Sequence, residues 1–548
     1  MNLKQNKIPL TLVLEELENT PDFAPKELEK LKRKHSRGLG QAHLISNAEL
    51  IGQIRSKQTE PGIELEKEKR MVHKLRKSTV RSMSGVSVVA IMLPPVSCPY
   101  HCAYCPTSKI AAKSYTGHEP AALRARQNGF DSGKQVSARL RQFEANGHDT
   151  EKCELIVMGG TFNSLVRDFQ KEFVKGAFDA FNECQSESLE QAQKINETAR
   201  HRVVSLTFET RPDWASKKQV NELLSFGATR VEFGVQSLDD EILAKVKRGH
   251  GVKETVDATK NCKDAFLKVG YHVMPGLYST PEKDEKTIEQ LFSDERFKPD
   301  MLKIYPTLVI PGTELFELWQ KGEFSPYDEE QASQAIARMK KHVPEYCRIM
   351  RVDRDIPTHQ IAAGVKKTNL RELVEKKCKE LGVTCRCIRC REAGLKQHKK
   401  GAKIDFENAE LKIDQYDASG GREYFLHFED ASNDAIIAFL RLRKPSSFGL
   451  EKDASTQDCK LEKGVLQQNL QMGVRELRVY GEQVKIGDHS NSISMQHKSF
   501  GKKLLEQAEQ VAKQEGAKEL LVTSGIGVRE YYAKLGYSRS SHYMAKAL

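Results

Sequence analysis

The sequence predicts an α/β protein in two parts, a partial (β/α) barrel followed by a smaller α/β domain, with a cysteine-rich linker between them. Three observations carry that prediction. From residue 87 onward, short runs rich in Val, Ile and Leu alternate with longer helical stretches, the pattern of a parallel sheet with right-handed crossovers. No Gly-x-Gly-x-x-Gly dinucleotide fingerprint accompanies them, which favours a barrel over an open doubly wound sheet. Beyond about residue 410 a second set of strands brackets one long helix. At 548 residues the chain is too long for one ordinary core, so two or three domains are expected.

The barrel is read from six strands: SVVAIML, LIVMG, VVSLTFE, RVEFGVQ, YHVMPGL and MLKIYPTLVI. Each is a short apolar run of the kind a buried parallel strand needs. Helical segments such as DFQKEFVKGAFDAFNEC and DEILAKVKRGH lie between them. The chain then divides into residues 1–85, charged and helical; 86–345, the partial barrel; 346–410, a linker dense in Cys, Lys and Arg; and 411–548, the smaller domain. In that last part EYFLHFED, AIIAFLRLR, VRELRVYG and ELLVTS read as strands, FGKKLLEQAEQVAKQE as the helix, and YYAKLGY closes the chain.

The formal net charge is +12. Such an excess suits a polyanionic partner, because Lys and Arg that neutralise phosphates gain from counterion release. Within the first 85 residues, KELEKLKRKHSRGLGQ mixes Glu with Lys and reads as a solvated helical face. Arg76, Lys77 and Arg81 form a cleaner basic arm. No apolar run nears the roughly 18 residues that a membrane helix needs, and the opening residues lack a secretory pattern. A cytoplasmic protein with no membrane partner is expected.

Six of the twelve cysteines fall in two tight clusters, which in a chain of this kind point to metal sites and not to a disulfide framework. Cys98, Cys102 and Cys105 stand as Cys-x3-Cys-x2-Cys directly after the first barrel strand. Three thiolates on one loop can hold three irons of a 4Fe–4S cluster and leave the fourth free, whereas electron-transfer clusters use four cysteines. The free iron can chelate S-adenosyl-L-methionine, whose one-electron cleavage gives a 5′-deoxyadenosyl radical. A zinc knuckle completed by His101 is the competing reading. Tyr104 stands where an aromatic could pack on adenine, and Gly159 and Gly160 end the second strand, where backbone could approach the methionine moiety. Cys385, Cys387 and Cys390 form a second cluster, Cys-x-Cys-x2-Cys, suited to structural zinc. Its fourth ligand is open: Cys378 is nearest in sequence, with His359 and His398 as alternatives.

The runs SYTGHEP, IVMGGTF, ETRPD, RVEFGVQS, KRGH, HVMPGL, LKIYPTLVIPGTELFELW, RDIP and CRCIRCREAG resemble the catalytic subunit of Elongator, above all its stand-alone archaeal and bacterial form. The resemblance runs from about residue 85 to the end of the sequence. It implies a partial (β/α) barrel of the radical-SAM type, a zinc-binding linker, and a GNAT-type acetyltransferase domain. Acetyl-CoA contacts then fall on Glu476, Leu477, Arg478 and Val479 of a strand, on Gln496, Ser499, Phe500 and Gly501 of the following loop and helix, and on Tyr531. The family's Gln-x-x-Gly-x-Gly reads here with Ser499 in place of its first glycine. Lys152 matches a lysine used toward acetyl-CoA, and Lys152, Tyr531 and Tyr532 are the implied catalytic groups.

The implied reaction is modification of the wobble uridine of tRNA. A 5′-deoxyadenosyl radical takes hydrogen from the acetyl methyl of acetyl-CoA, the carbon radical adds to C5 of uridine, and thioester hydrolysis leaves 5-carboxymethyluridine. The uridine sits in an anticodon stem-loop, where a single-stranded base is reachable. Partners implied are tRNA, acetyl-CoA, an electron donor, and either further copies of the chain or Elongator-like accessory subunits. The alternative is a protein lysine acetyltransferase with the barrel as scaffold. It needs a general base near the thioester, for which Glu476 is the one candidate weighed. A third reading, a non-catalytic tRNA-binding scaffold, leaves the cluster ligands without a purpose.

Overall fold

The structure, a computed structural model, describes residues 7–20, 23–36, 44–57, 65–76, 85–96, 98–446, 470–481 and 499–548. Two compact units emerge: residues 1–82 with 137–150, and residues 83–136 with 151–548. Among the described residues no helix is long and apolar enough to cross a membrane.

The first unit is built on helices Lys7–Glu18, Pro25–Ser36, Asn47–Lys57 and Leu65–Leu75. Val13, Leu14, Leu17, Leu50 and Ile51 form its core. The segment read as a solvated face, Pro25–Ser36, turns one side inward: Leu28 is buried, and so is Lys32, whose ammonium donates to Glu29 at 2.6 Å and Asn47 at 3.0 Å. Arg76 is likewise engaged, donating to the Gly147 carbonyl at 2.9 Å and lying 3.8 Å from Asp149. Lys77 and Arg81 lie outside the described residues.

The second unit opens with seven parallel strands in sequence order: β1 (Ser87–Met92), β2 (Lys152–Met158), β3 (Arg202–Thr210), β4 (Arg230–Gln236), β5 (Lys268–Val273), β6 (Met301–Ile304) and β7 (Arg348–Arg351). Six match the strands read from sequence. The seventh lies inside the stretch read as linker, because four residues with Arg at both ends offer no apolar run. Closed barrels usually fill their interior with branched apolar layers. Here Arg230 on β4 donates to Glu154 on β2 at 2.5 Å, and Lys303 on β6 reaches Glu209 on β3 at 2.8 Å. Those pairs span non-adjacent strands, so they cross the concave face and place charges in it.

A second, mixed sheet follows: β8 (Glu410–Ala418), β9 (Gly421–Asp430), β10 (Ala435–Lys444), β11 (Gln471–Val479), β12 (Glu519–Val522), β13 (Ser538–Ser540) and β14 (Tyr543–Ala547), in the order β13-β14-β12-β11-β10-β9-β8. β8 to β11 are antiparallel, and β11 pairs with β12 in parallel. Helix Phe500–Gln514 buries Phe500, Leu504, Leu505 and Ala508 against this sheet. A bulge in β11 leaves Arg475 without a partner on β10, since Arg441 faces Glu476 and Leu442 faces Val474. The extra residue lets Arg475 and Glu476 both face the barrel.

That face carries the joint between the sheets. Arg475 donates to Asp300 at 2.6 and 2.7 Å, to Glu423 at 2.8 Å and to the Leu267 carbonyl at 2.9 Å. Arg441 donates to Glu476 at 2.9 Å, and Arg443 to Asp264 at 2.6 Å and Glu423 at 2.9 Å. Asp300, Lys268 and Arg230 stand at the amino ends of β6, β5 and β4, so the second sheet docks on the end of the barrel opposite the cysteine loop.

Candidate functional site

β1 ends at Met92, and the cysteine loop follows it at the carboxyl ends of the barrel strands. Its three sulfurs go to three different neighbours. Cys98 Sγ lies 3.6 Å from Thr161 Oγ1, and Cys105 Sγ lies 3.1 Å from Ser114 Oγ. Cys102 Sγ accepts from Arg248 at 3.5 Å and from Arg211 at 3.9 Å. A single zinc holds each thiolate at about 2.3 Å and needs its ligands close together. Among the described residues, the groups whose ligand atoms lie within 4.8 Å of one another do not include this trio or His101. His101 itself is exposed. A 4Fe–4S site takes its thiolates on separate irons, and Arg248 and Arg211 beside Cys102 would supply positive charge to an anionic cluster held there. The residues fit the cluster and not the knuckle.

Sequence reasoning missed both arginines, although they stand in the runs ETRPD and KRGH. Their roles need contacts across more than a hundred residues of chain, which no local signal carries. Arg211 is fixed by Asp213 at 2.9 and 3.0 Å and lies over the Tyr100 ring, 3.3 Å from its centroid. Arg248 donates to the Gly234 carbonyl at 2.5 Å. Tyr104 packs among Ile242, Val246 and Met274, with its hydroxyl buried and unpartnered. Gly159 and Gly160 both adopt left-handed backbone, with φ of 105° and 66°. A side chain on Gly159 would strike Ala112 at 2.7 Å, while Gly160 faces open space.

Below this mouth, Glu209, Glu232 and His272 bring their ligand atoms within 4.8 Å of one another. The Lys303 ammonium already sits between the two carboxylates, and His272 Nε2 is 3.0 Å from Glu232. The group is an ion-pair cluster completed by a lysine. Burial would raise the Glu232 carboxyl, yet Lys303 and Arg230 hold it well below its ordinary range.

At the amino ends of the strands, β11 and β12 pair only over Gln471–Val474 and Glu519–Val522. β11 continues to Val479, held by β10 on one side alone. On the helix side of this gap the predicted residues converge. A Cβ placed on Gly501 would meet the Tyr531 hydroxyl at 3.1 Å, Val479 at 3.6 Å and Leu477 at 3.9 Å. Ser499 precedes the helix in left-handed backbone, φ 61° and ψ 10°. Phe500 is buried against Phe428, ring centroids 5.0 Å apart, so only its backbone faces the gap. Gln496 lies outside the described residues.

Other predicted residues separate from that set. Tyr531 is 41% exposed, whereas Tyr532 is 6% exposed and stacked edge-on between Tyr531 and Tyr537 in the core. Tyr532 therefore packs within the core of the second sheet. Glu476 and Arg478 point to the barrel side, where Arg478 lies 3.9 Å from both Glu154 and Glu476. Burial would raise the Glu476 carboxyl, but Lys268, Arg441 and Arg478 bring it down to about 2. A carboxylate so held is a poor general base at neutral pH, which counts against Glu476 as the base that lysine acetyl transfer needs. Lys152 starts β2 opposite Arg202 on β3. Burial pulls its ammonium below the ordinary value, with Glu151 opposing.

Cys385, Cys387 and Cys390 do bring their sulfurs within 4.8 Å of one another, as a zinc site requires. Cys378 does not join that group. The loop is pinned to the barrel by Ile388 N donating to the Cys347 carbonyl at 3.0 Å. Arg391, fully buried, ties it to the second sheet through Glu429 and through Asp434 at 2.6 Å.

Residues 92–291 match the Radical SAM superfamily, and residues 299–380 match the Radical_SAM C-terminal domain. The chain is 49% identical to a tRNA uridine(34) acetyltransferase of Methanocaldococcus infernus, over 88% of this chain and 89% of that protein. It is 39% identical to Elongator complex protein 3 of Schizosaccharomyces pombe, over 87% and 88%. A solved structure of the archaeal Methanocaldococcus infernus Elp3 with an N-terminal deletion superposes with a TM-score of 0.73 at 46% identity, covering 85% of this chain and all of that one.

Proposed function

The chain belongs to the family of the tRNA uridine(34) acetyltransferases and Elongator complex protein 3, and we propose that it converts the wobble uridine of tRNA to 5-carboxymethyluridine at the expense of acetyl-CoA. The observation that supports this most is the pairing, in one unit, of an open three-thiol loop at one end of the barrel with parted strands at the other. Cys98, Cys102 and Cys105 would hold the 4Fe–4S cluster, with Gly160 leaving room for S-adenosylmethionine. When bound, that pair supplies the radical.

Leu477, Val479, Gly501 and Tyr531 would line the acyl-CoA arm. The first N–H groups of helix Phe500–Gln514 would face the pyrophosphate, favoured by the helix's positive end. Lys152, with its ammonium weakened by burial, would stand near the acyl end. Zinc at Cys385, Cys387 and Cys390 would brace the joint. The basic surface would take the tRNA backbone, and an external donor would supply the electron.

The test is mass spectrometry of nucleosides from tRNA incubated anaerobically with reduced enzyme, S-adenosylmethionine and acetyl-CoA. We expect 5-carboxymethyluridine at position 34, dependent on all three additions. Product formed without S-adenosylmethionine would overturn the radical reading. Acetylated lysine with unmodified tRNA would favour protein acetyl transfer.

A further inference from the structure

We propose that Thr523 and Ser524 form the pocket for the thioester carbonyl of the acyl-CoA, at the vertex where β11 and β12 part. The inference rests on the acyl-CoA reading above and adds two positioning residues to it. The last bond joining the strands runs from Thr523 N to the Val474 carbonyl, 3.0 Å. An arm lying along Leu477 and Val479 must end near that point, beside the bulged Arg475. There the Thr523 and Ser524 hydroxyls are both more than nine-tenths buried and have no hydrogen-bond partner. Buried hydroxyls are nearly always satisfied in folded proteins, so an orphaned pair marks the place of a ligand oxygen or water.

The walls of the vertex are unusually close. A Cβ on Gly525 would lie 2.1 Å from the Val204 carbonyl oxygen, and one on Gly527 would lie 2.4 Å from Arg202 Cβ. Only glycine lets this segment press onto β3, and doing so sets the vertex against the base of the barrel, one strand from Lys152. Leu520 and Val522 belong to the helix-side core, and β12 ends at Val522, so Thr523 and Ser524 lie beyond the strand, where its strict alternation of faces no longer holds. Two hydroxyls donating to one carbonyl oxygen in a water-poor pocket would orient the thioester and polarise it.

The ligand test uses the full chain with two probes, acetyl-CoA and S-ethyl-CoA, in which a methylene replaces the carbonyl. Calorimetry should show Thr523→Val/Ser524→Ala binding acetyl-CoA about tenfold more weakly, as expected for lost bonds to a buried carbonyl. S-ethyl-CoA should bind wild type and variant within about twofold. Thr523→Ser, which keeps a hydroxyl, should restore part of the loss. The carbonyl stretch of bound [1-13C]acetyl-CoA should lie lower in the wild type than in the double variant. Equal weakening toward both probes, or an unmoved carbonyl stretch, would overturn the proposal and leave a structural role. Wild type that binds neither probe would overturn the acyl-CoA reading itself.

Discussion

At their carboxyl ends the barrel strands surround polar atoms that have no partner, among them the Tyr104 hydroxyl, Arg248 Nε and His250 Nε2. At their amino ends the same strands meet charges that are closed against one another: Arg475, Arg441 and Arg443 against Asp300, Glu423, Glu476 and Asp264. One end is left open around its unpartnered atoms, whereas the other is held by ion pairs, although Arg441 Nη1 and Nη2 there, and the Thr523 and Ser524 hydroxyls beside it, also have no hydrogen-bond partner. Buried polar groups without partners are where a ligand is accommodated, while a closed network holds two sheets in one register and resists opening. The same parallel strands thus carry an open end and a joint, according to which end the side chains face.

The largest effect should come from breaking the open end. Cys102→Ala removes the thiolate that both arginines address, so reconstituted protein should lose its iron and with it all 5-carboxymethyluridine. Zinc and thermal stability should be unchanged, because the closed end is untouched. Metal analysis of the variant decides it: loss of zinc with iron retained would reverse the assignment of the two cysteine trios.

Breaking the closed end should cost stability instead of chemistry. Asp300→Asn leaves Arg475 and Arg441 short of a buried anion, and removing one partner of a buried pair costs about 3–5 kcal/mol. Denaturant unfolding should show that loss with the iron site intact. Acid should act in the same sense. The Glu476 carboxyl is held at about 2 against an ordinary 4.5, so its contribution is full above the ordinary value and fades as pH falls through about 2. Stability that stayed flat from pH 5 to pH 2 would mean that these charges are not what closes the joint.

A smaller effect should follow from Cys387→Ser. It loosens the brace at one edge of the joint, so zinc should be lost and the melting temperature should fall by a few degrees, as about 1–2 kcal/mol would give. Iron content should hold.

The sequence makes the open end legible because its signal is local: three cysteines in eight residues directly after an apolar strand. The closed end is not legible. Arg475, Arg441 and Arg443 are the kind of residue that reads as solvent-facing, and their burial depends on Asp300 and Glu423 arriving from far along the chain. β7 and β8 escaped for a related reason. β7 is four residues flanked by arginine, and β8 is an edge strand exposed at most of its positions, so neither shows the apolar periodicity that marks a strand. Tyr531 and Tyr532 are neighbours in sequence with opposite environments, and only the turn of helix Arg529–Ala533 separates them.

The finest comparison lies at the loop where Ser499 replaces a glycine. Left-handed backbone costs a non-glycine residue about 1–2 kcal/mol, and Ser499 adopts it with φ 61° and no capping bond from its side chain. Ser499→Gly relieves that strain, although the added freedom of glycine in the unfolded chain returns part of the gain. The net should be a rise in melting temperature of a degree or two, from well under about 1 kcal/mol. Strain present equally in free and bound protein cancels in the affinity. Acetyl-CoA binding should therefore change by less than about twofold. If calorimetry finds a gain of fivefold or more, the loop must leave its left-handed turn when the ligand arrives, and the binding gap, unlike the joint beside it, would be a moving part.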